Sequence, residues 1–388
     1  MRKICIVTGT RAEWGLLSGL ADVLRNDASV RLQIIATNMH LSEKYGKTID
    51  EIVKAGFAVD FEVPMVDDAA VTTSAETVRA MGREMTGFAE AFAKLQTDVV
   101  VILGDRYEML VAATAAMIFG LPIAHLYGGE VTEGAFDDSI RHAITKLSSL
   151  HFTSTEVYRQ RVIQLGEDPA RVFYVGAIGC DNALRVQRMS RAALERSLEF
   201  ELTEKCFLVT YHPVTNERGS GLMQIRELLR ALDAYPDYRV VITSPNSDVG
   251  RDDISSALQQ YRDAHPDRVL LVPSLGMVRY LSAIPLMSAV IGNSSSGLVE
   301  VPSFHVPTVN VGHRQNGRVL ADSVVCCGNG REEVERAVRT VLEPSFRARC
   351  KACVNPYAKS GTADAIVRCL MQADLCALRK KPFYDLER

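Results

Sequence analysis

LMSAVI (residues 286–291) followed by GNSSSGLVE (residues 292–300) is the stretch from which the rest of the chain is read. The first six residues form an apolar, strand-like run. Leu298, Val299 and Val301 then follow a helical pattern. Between them, three consecutive serines sit between glycines at a strand-to-helix turn. Such a turn offers free backbone N–H groups and three hydroxyls, and the positive end of a helix dipole points at the same spot. These are the features of a phosphate site. A serine N-cap without any ligand is the alternative reading. Glu300 lies one turn into the helix, where a carboxylate works against a bare phosphate but accepts hydrogen bonds from ribose hydroxyls. The stretch therefore predicts a nucleoside diphosphate, with the serine turn at the phosphates and Glu300 at the ribose.

Outward from this turn, the same strand-then-helix alternation recurs. In the first half, strands are predicted at Lys3–Val7, Leu32–Ala36, Val99–Leu103, Ile123–Leu126, Ser149–Thr153 and Val172–Val175. Leu17, Leu20 and Leu24 mark one helix, and the alanine-rich run 109–119 marks another. The pattern restarts with a helix over 191–201. Strands follow at Cys206–Thr210, Arg239–Ile242, Val269–Val272, Ala289–Ile291 and Thr308–Val311, with helices over 222–234 and 254–264. Alternation of this kind predicts parallel sheets with helices on both faces. The expected fold is α/β, with two Rossmann-like doubly wound domains facing across a cleft. The expected domains are residues 1–178 and 179–388, and the last helix is a candidate to pack back on the first.

Bulk properties narrow the class. A chain of 388 residues is long for a single core, which also favours two domains. A net charge of −3 gives no reason to expect nucleic acid or a polyanionic surface. No apolar run approaches the ~18–20 residues of a membrane helix. MRKICIVTGTRAEWG (residues 1–15) reads as a strand entering a loop rather than a secretory signal, so a cytoplasmic enzyme is expected. Nine cysteines, odd in number and several within apolar runs, fit reduced core thiols. Cys350 and Cys353 form a CxxC, but Cys369 and Cys376 are spaced too widely to complete a zinc site, and no metal is expected.

In open parallel sheets, ligands bind beyond the carboxyl ends of the strands. Those loops carry Thr10, Arg11 and Glu13; Asp105 and Arg106; Glu130, Asp137, Asp138, Arg141 and His142 in the first half. In the second half they carry His212; Ser244 and Asn246; Ser294, Ser295, Ser296 and Glu300; then Arg314 and Gln315. Each has a structural alternative. Arg11 can be a solvated loop residue, and Asp105 with Arg106 a local pair capping the next helix. Asp137 and Asp138 can be an N-cap, and His212 before Pro213 a turn histidine. Carboxylates in the first half and phosphate donors in the second suit an enzyme that holds a nucleotide with one domain and moves protons with the other. Gly9, Gly15 and Gly19 do not have the dinucleotide spacing, and no Walker loop is present, which disfavours NAD and ATP chemistry. No nucleophile elbow is visible.

GTRAEWG (9–15), MHLSEKYG (39–46), LGDRYEM (103–109), GGEVTEGAFDDSIRHAITKLS (128–148), His212-Pro213, GNSSSGLVEVPS (292–303) and RQNGRV (314–319) resemble the hydrolysing UDP-N-acetylglucosamine 2-epimerases, most of all those of bacterial sialic-acid biosynthesis. The resemblance extends over nearly the whole chain. It implies the GT-B arrangement of two domains and a homodimer or homotetramer. It implies conversion of UDP-N-acetylglucosamine and water to N-acetylmannosamine and UDP, through elimination to a 2-acetamidoglucal and rehydration, with no cofactor. Carried over by motif, Asp105, Asp137, Asp138 and Glu130 are acid–base or water-positioning groups. His212 is a phosphate contact or acid. Arg11 and the serine turn stabilise the diphosphate, Ser295 and Ser296 contact its phosphates, and Glu300 contacts ribose. Arg106 and Arg314 complete the binding set. One position departs: several family members read H-x-E-G-G-E, whereas this chain has Tyr127 where they have the first Glu. Either Glu130 or an aspartate takes that role, or the Glu is not the base. The same chemistry on UDP-2,4-diacetamido-2,4,6-trideoxyglucose, for legionaminic acid, is the near alternative. A GT-B glycosyltransferase and a non-catalytic two-lobed binding protein are the alternatives of other classes.

Overall fold

The structure is a computed structural model that describes residues 1–43, 46–65, 73–132, 137–214, 219–245 and 251–386. Asn246 and parts of two of the motifs (residues 44–45 and 133–136) lie outside the described residues. The chain divides into two compact units, one comprising Met1–Glu130, Asp137–Asn182 and Lys359–Arg388, the other built on Ala183–Ala358.

The first unit holds strands β1 (Arg2–Thr8), β2 (Val30–Thr37), β3 (Phe61–Val63), β4 (Val99–Leu103), β5 (Ile123–Leu126), β6 (Leu150–Thr153) and β7 (Val172–Tyr174). All pair in parallel, in the order β3-β2-β1-β4-β5-β6-β7. Its helices are α1 (Arg11–Arg25), α2 (Ile49–Lys54), α3 (Ser74–Leu95), α4 (Tyr107–Ile118), α5 (Asp137–Leu147), α6 (Glu156–Gln164) and the start of α7 (Ile178–Arg185). The strands are apolar on both faces because both faces are covered. Ile4 and Ile6 pack with Leu17, Leu20 and Leu24 of α1. Cys5 and Val7 pack on the other side with Phe88 and Phe92 of α3 and with Met109 and Ala112 of α4.

The second unit repeats the plan with β8 (Cys206–Thr210), β9 (Arg239–Thr243), β10 (Val269–Val272), β11 (Ala289–Gly292), β12 (Thr308–Val311) and β13 (Val324–Cys327). The order is β10-β9-β8-β11-β12-β13, again all parallel. Its helices are α8 (Arg191–Leu198), α9 (Gly221–Leu232), α10 (Arg251–Ala264), α11 (Gly276–Ala283), α12 (Ser296–Val299), α13 (Arg331–Leu342) and α14 (Pro344–Ala352). Phe207 and Val209 face a core with Ile225, Leu228 and Val338, while Leu208 faces Leu194 and Leu281.

The break between the units differs from the 178/179 boundary expected from sequence. It falls within α7, after Asn182. Ile178 belongs to the first core, and Asn182 Nδ2 donates to the carbonyls of Gly15 and Leu16 at 3.0 and 2.8 Å. Ala183 packs in the second core. The chain then returns to the first unit as α15 (Thr362–Gln372) and α16 (Leu375–Leu378). Ala363, Ile366, Val367 and Leu370 fill the core beside α1. Asp181 accepts the N–H of Gly361 and of Ala363 at 3.2 and 3.0 Å, which satisfies donors at the start of α15. Among the described residues no helix is long and apolar enough to cross a membrane, and no His, Cys, Asp or Glu side chains cluster to hold a metal ion.

Candidate active site

In each sheet the strand order reverses beside its first strand, between β1 and β4 and between β8 and β11. These switch points are where doubly wound sheets bind ligands. The loops that leave these four strands contain most of the residues singled out from sequence.

In the first unit, Arg141 is the hub. It projects from the first turns of α5, its side chain is 1% exposed, and it pairs with both Asp105 and Asp138. Nη1 also donates to the carbonyl of Glu130 at 2.7 Å. One guanidinium thus gathers the loops after β4 and β5 and the start of α5, and it leaves two carboxylates facing a single cation. The Glu130 side chain is itself buried and accepts the Ser154 hydroxyl at 2.6 Å. His125, buried at the end of β5, contacts the Gly104 carbonyl through Nε2 at 2.8 Å. Burial pushes this imidazole down to about 3, so it is neutral and its Nε2–H pins the loop that carries Asp105. Asp137 opens α5 and is half-buried.

Around the β1 loop lies a second acidic group. Thr10 and Glu13 form a reciprocal cap on α1, with Glu13 Oε2 accepting the N–H of Gly9 at 2.7 Å and of Thr10 at 3.2 Å. Glu108, fully buried, pairs with Arg106 Nε at 2.7 Å. A Cβ on Gly9 would lie 2.9 Å from Glu108 Cγ, so a larger residue there would have to displace the Glu108 side chain. Glu84 of α3, also fully buried, shares a hydrogen bond of 2.6 Å with Thr37 Oγ1. Burial and then the Glu108 charge push Glu13 up to about 8. Burial, with smaller contributions from Glu108 and Glu13, pushes Glu84 up to about 9. Arg11, the first residue of α1, is partly exposed and lies 3.9 Å from Glu51.

In the second unit, Gly292 brings β11 against β8. Its φ is 138°, and a Cβ there would fall 1.9 Å from the Thr210 carbonyl. The chain then turns through Ser294, Ser295 and Ser296, all partly buried. The N–H groups of Leu298 and Val299 bond to the Ser295 carbonyl at 3.0 Å. The expected helix forms but is short: α12 is one turn, and Val301–Phe304 continues as a 3-10 segment. Pro302 lacks the N–H to extend the ladder, and Thr308 Oγ1 takes the Gly297 carbonyl at 2.8 Å. The turn therefore presents backbone amides and hydroxyls at the start of a single helical turn. Tyr280 of α11 donates to Ser296 Oγ at 2.8 Å. Glu300 ends α12, and Arg314 Nη1 reaches the Asn293 carbonyl at 3.2 Å. His212 is buried just beyond β8.

Several expectations change. Asp105 pairs with Arg141, and Arg106 pairs with Glu108. No side chain caps α4. Asp138 is occupied by Arg141, three residues on along the same helix face. The structure brings Asp105, Glu130 and Asp138 around one guanidinium. It places His212, the serine turn and Arg314 together in the second unit. Within the first unit, Arg11 lies by Glu51 and Arg106 pairs with Glu108. Arg141 was visible as a strand-end residue but was given no role, although its i,i+3 spacing from Asp138 signals the pair. Glu84 and Glu108 were missed.

Comparison with known proteins fits this geometry. A family model described as UDP-N-acetylglucosamine 2-epimerase matches residues 22–371. The chain is 38% identical over 386 residues to the Campylobacter jejuni GDP/UDP-N,N'-diacetylbacillosamine 2-epimerase (hydrolyzing), covering 99% of both chains. It is 36% identical over 390 residues to polysialic acid biosynthesis protein P7 of Escherichia coli, covering 100% of this chain and 98% of that one. The S. aureus MnaA–UDP co-structure superimposes with a TM-score of 0.80 at 17% identity, covering 99% of this chain and 100% of that one, and so shares the fold. This chain belongs to the UDP-N-acetylglucosamine 2-epimerase family.

Proposed function

We propose that the chain is a hydrolysing 2-epimerase of a UDP-linked 2-acetamido sugar, releasing UDP and the free 2-epimer. The observation that carries the reading is the pair of carboxylates, Asp105 and Asp138, held on Arg141 at the first switch point. A base there takes the proton from sugar C2. The C1–O bond breaks, its electrons leave with UDP, and a 2-acetamidoglucal remains. Water then adds its oxygen to C1, and an acid returns a proton to C2 from the opposite face. The reaction is redox-neutral. Asp105, Asp138, Glu130 and Asp137 supply the proton-transfer and water-holding groups. His212, Ser294, Ser295, Ser296, Arg314 and Arg11 stabilise charge on the departing diphosphate. Glu300 takes ribose hydroxyls, and Arg106 stays in the binding set.

The first substrate we propose is UDP-2,4-diacetamido-2,4,6-trideoxyglucose, which is UDP-N,N'-diacetylbacillosamine. The sequence alone favoured UDP-N-acetylglucosamine. The order changes because a relative named for the diacetamido sugar is 38% identical over nearly the full length. UDP-N-acetylglucosamine, leading to N-acetylmannosamine and sialic acid, remains the second reading, supported by the relative named for polysialic acid biosynthesis. Tyr127 does not replace the missing family carboxylate chemically. It sits at φ 70° and its hydroxyl accepts the Gly179 N–H at 3.3 Å, tying β5 to α7. Glu130 is the proposed substitute. The test is UDP release, followed by chromatography, from each of the two UDP-sugars without any acceptor. Higher kcat/KM on the diacetamido sugar supports the first reading, and higher kcat/KM on UDP-N-acetylglucosamine supports the second. Release that requires an acceptor sugar would indicate a glycosyltransferase.

A further inference from the structure

Asn293 follows Gly292 directly, is 1% exposed, and was not singled out from sequence. Its side chain grips the backbone of His212 at both ends. Oδ1 accepts the His212 N–H at 2.7 Å, and Nδ2 donates to the His212 carbonyl at 2.8 Å. Its backbone continues the sheet, with its N–H on the Thr210 carbonyl at 3.1 Å. Its own carbonyl accepts Gln315 Nε2 at 2.8 Å and Arg314 Nη1 at 3.2 Å. Parallel pairing between β8 and β11 has its last rung at Thr210 and Gly292. Beyond that rung, one amide side chain does the work of a ladder. The side chain fixes the His212 loop to the start of the serine turn, while the backbone carbonyl of the same residue holds the Arg314–Gln315 loop.

An amide is the side chain that can do this. It has one acceptor and one donor on a planar group, which matches the N–H and C=O of a single residue. Alanine would leave both His212 backbone groups buried without these partners. Aspartate would keep the acceptor but set a second oxygen against the His212 carbonyl. Pro213 next in sequence has no N–H, so the loop cannot satisfy itself through a further backbone donor there.

We propose that Asn293 is the positioning residue of the nucleotide site: it acts through His212, holding that imidazole in register with the serine turn so that both address one diphosphate. The proposal rests on the reading of this site as one for a nucleoside diphosphate. It is tested with the full chain by UDP titration calorimetry and kcat/KM on wild type, Asn293→Ala, His212→Ala and the double variant. Asn293→Ala is expected to weaken UDP binding about tenfold. In the His212→Ala background the same substitution should change it by less than about twofold, because the residue it acts through is gone. Losses that multiply in the double variant would overturn the proposal, as would unchanged affinity in Asn293→Ala. Asn293→Asp keeps the size and the acceptor, and provides a second reading if alanine does not fold. Its affinity relative to wild type should rise as pH falls, when the protonated carboxyl can again donate to the His212 carbonyl. No such rise would also count against the proposal. Wild-type protein that binds no UDP removes the functional reading, and this inference with it.

Discussion

Glu84→Gln should stabilise the protein at neutral pH, and the hydrogen bonds around it say why. Thr37 Oγ1 lies 2.7 Å from the Val63 carbonyl and 2.6 Å from Glu84 Oε1. A hydroxyl has one proton for these two acceptors. If it goes to the carbonyl, the carboxyl must supply the other, so Glu84 is a neutral acid. Its second oxygen is buried and has no partner among the described residues. Burial raises this group from 4.5 to about 9, with Glu108 and Glu13 adding to the rise. The unfolded chain loses this proton near the ordinary value while the folded chain keeps it. Stability is therefore fullest below the unfolded pKa and falls as pH climbs toward the folded one. Between about pH 5 and about pH 7.5 the loss is roughly 3 kcal/mol at 1.36 kcal/mol per unit. Glutamine has the same shape, stays neutral and can donate to Thr37. For a unit of about 200 residues, its advantage over wild type should grow by about 6–12 °C in Tm across that window. Thermal melts of both proteins at the two pH values measure it. Parallel pH profiles would refute the assignment of a neutral Glu84.

Arg141→Lys keeps the charge but cannot fork between Asp105, Asp138 and the Glu130 carbonyl. A stability loss of about 3 kcal/mol and a large fall in kcat are expected, read by melting and turnover. Tyr280→Phe removes only the hydrogen bond to Ser296, so it should leave the fold intact and weaken UDP binding by about fivefold in calorimetry; equal affinity would take Ser296 away from the nucleotide. Lys381 donates to the carbonyls of Thr145 and Lys146 at 2.9 and 2.8 Å, at the end of α5, and pairs with Glu167 at 2.8 Å. Lys381→Met should cost about 2 kcal/mol and speed hydrogen exchange in the last turn of α5.

The central strands were legible because they are apolar on both faces. Val99–Leu103 and Cys206–Thr210 read from sequence as they stand in the structure. The edge strands β3 and β13 were not, since they are three and four residues long and only partly buried. The helix after the serine turn was over-read: Leu298, Val299 and Val301 fit a helical pattern, but Pro302 ends the ladder. The candidate residues were found by their place at strand ends, and their partners were not. Asp105 meets Arg141 across 36 positions, a pairing that only the fold creates. Glu84 carried a local signal. It stands four residues from both Ala80 and Phe88, on the buried stripe of α3, where a carboxylate is out of place. Asn293 had no such signal, because its work is done on the backbone of a residue 81 positions away.

The central claim is that the bond to the C2 proton is broken during UDP release. Proton NMR of the protein with each of the two UDP-sugars in D2O tests it directly. The account predicts UDP together with a free sugar inverted at C2 and carrying deuterium there. A released sugar that retains both its configuration and its C2 proton would be simple hydrolysis, and would contradict the account.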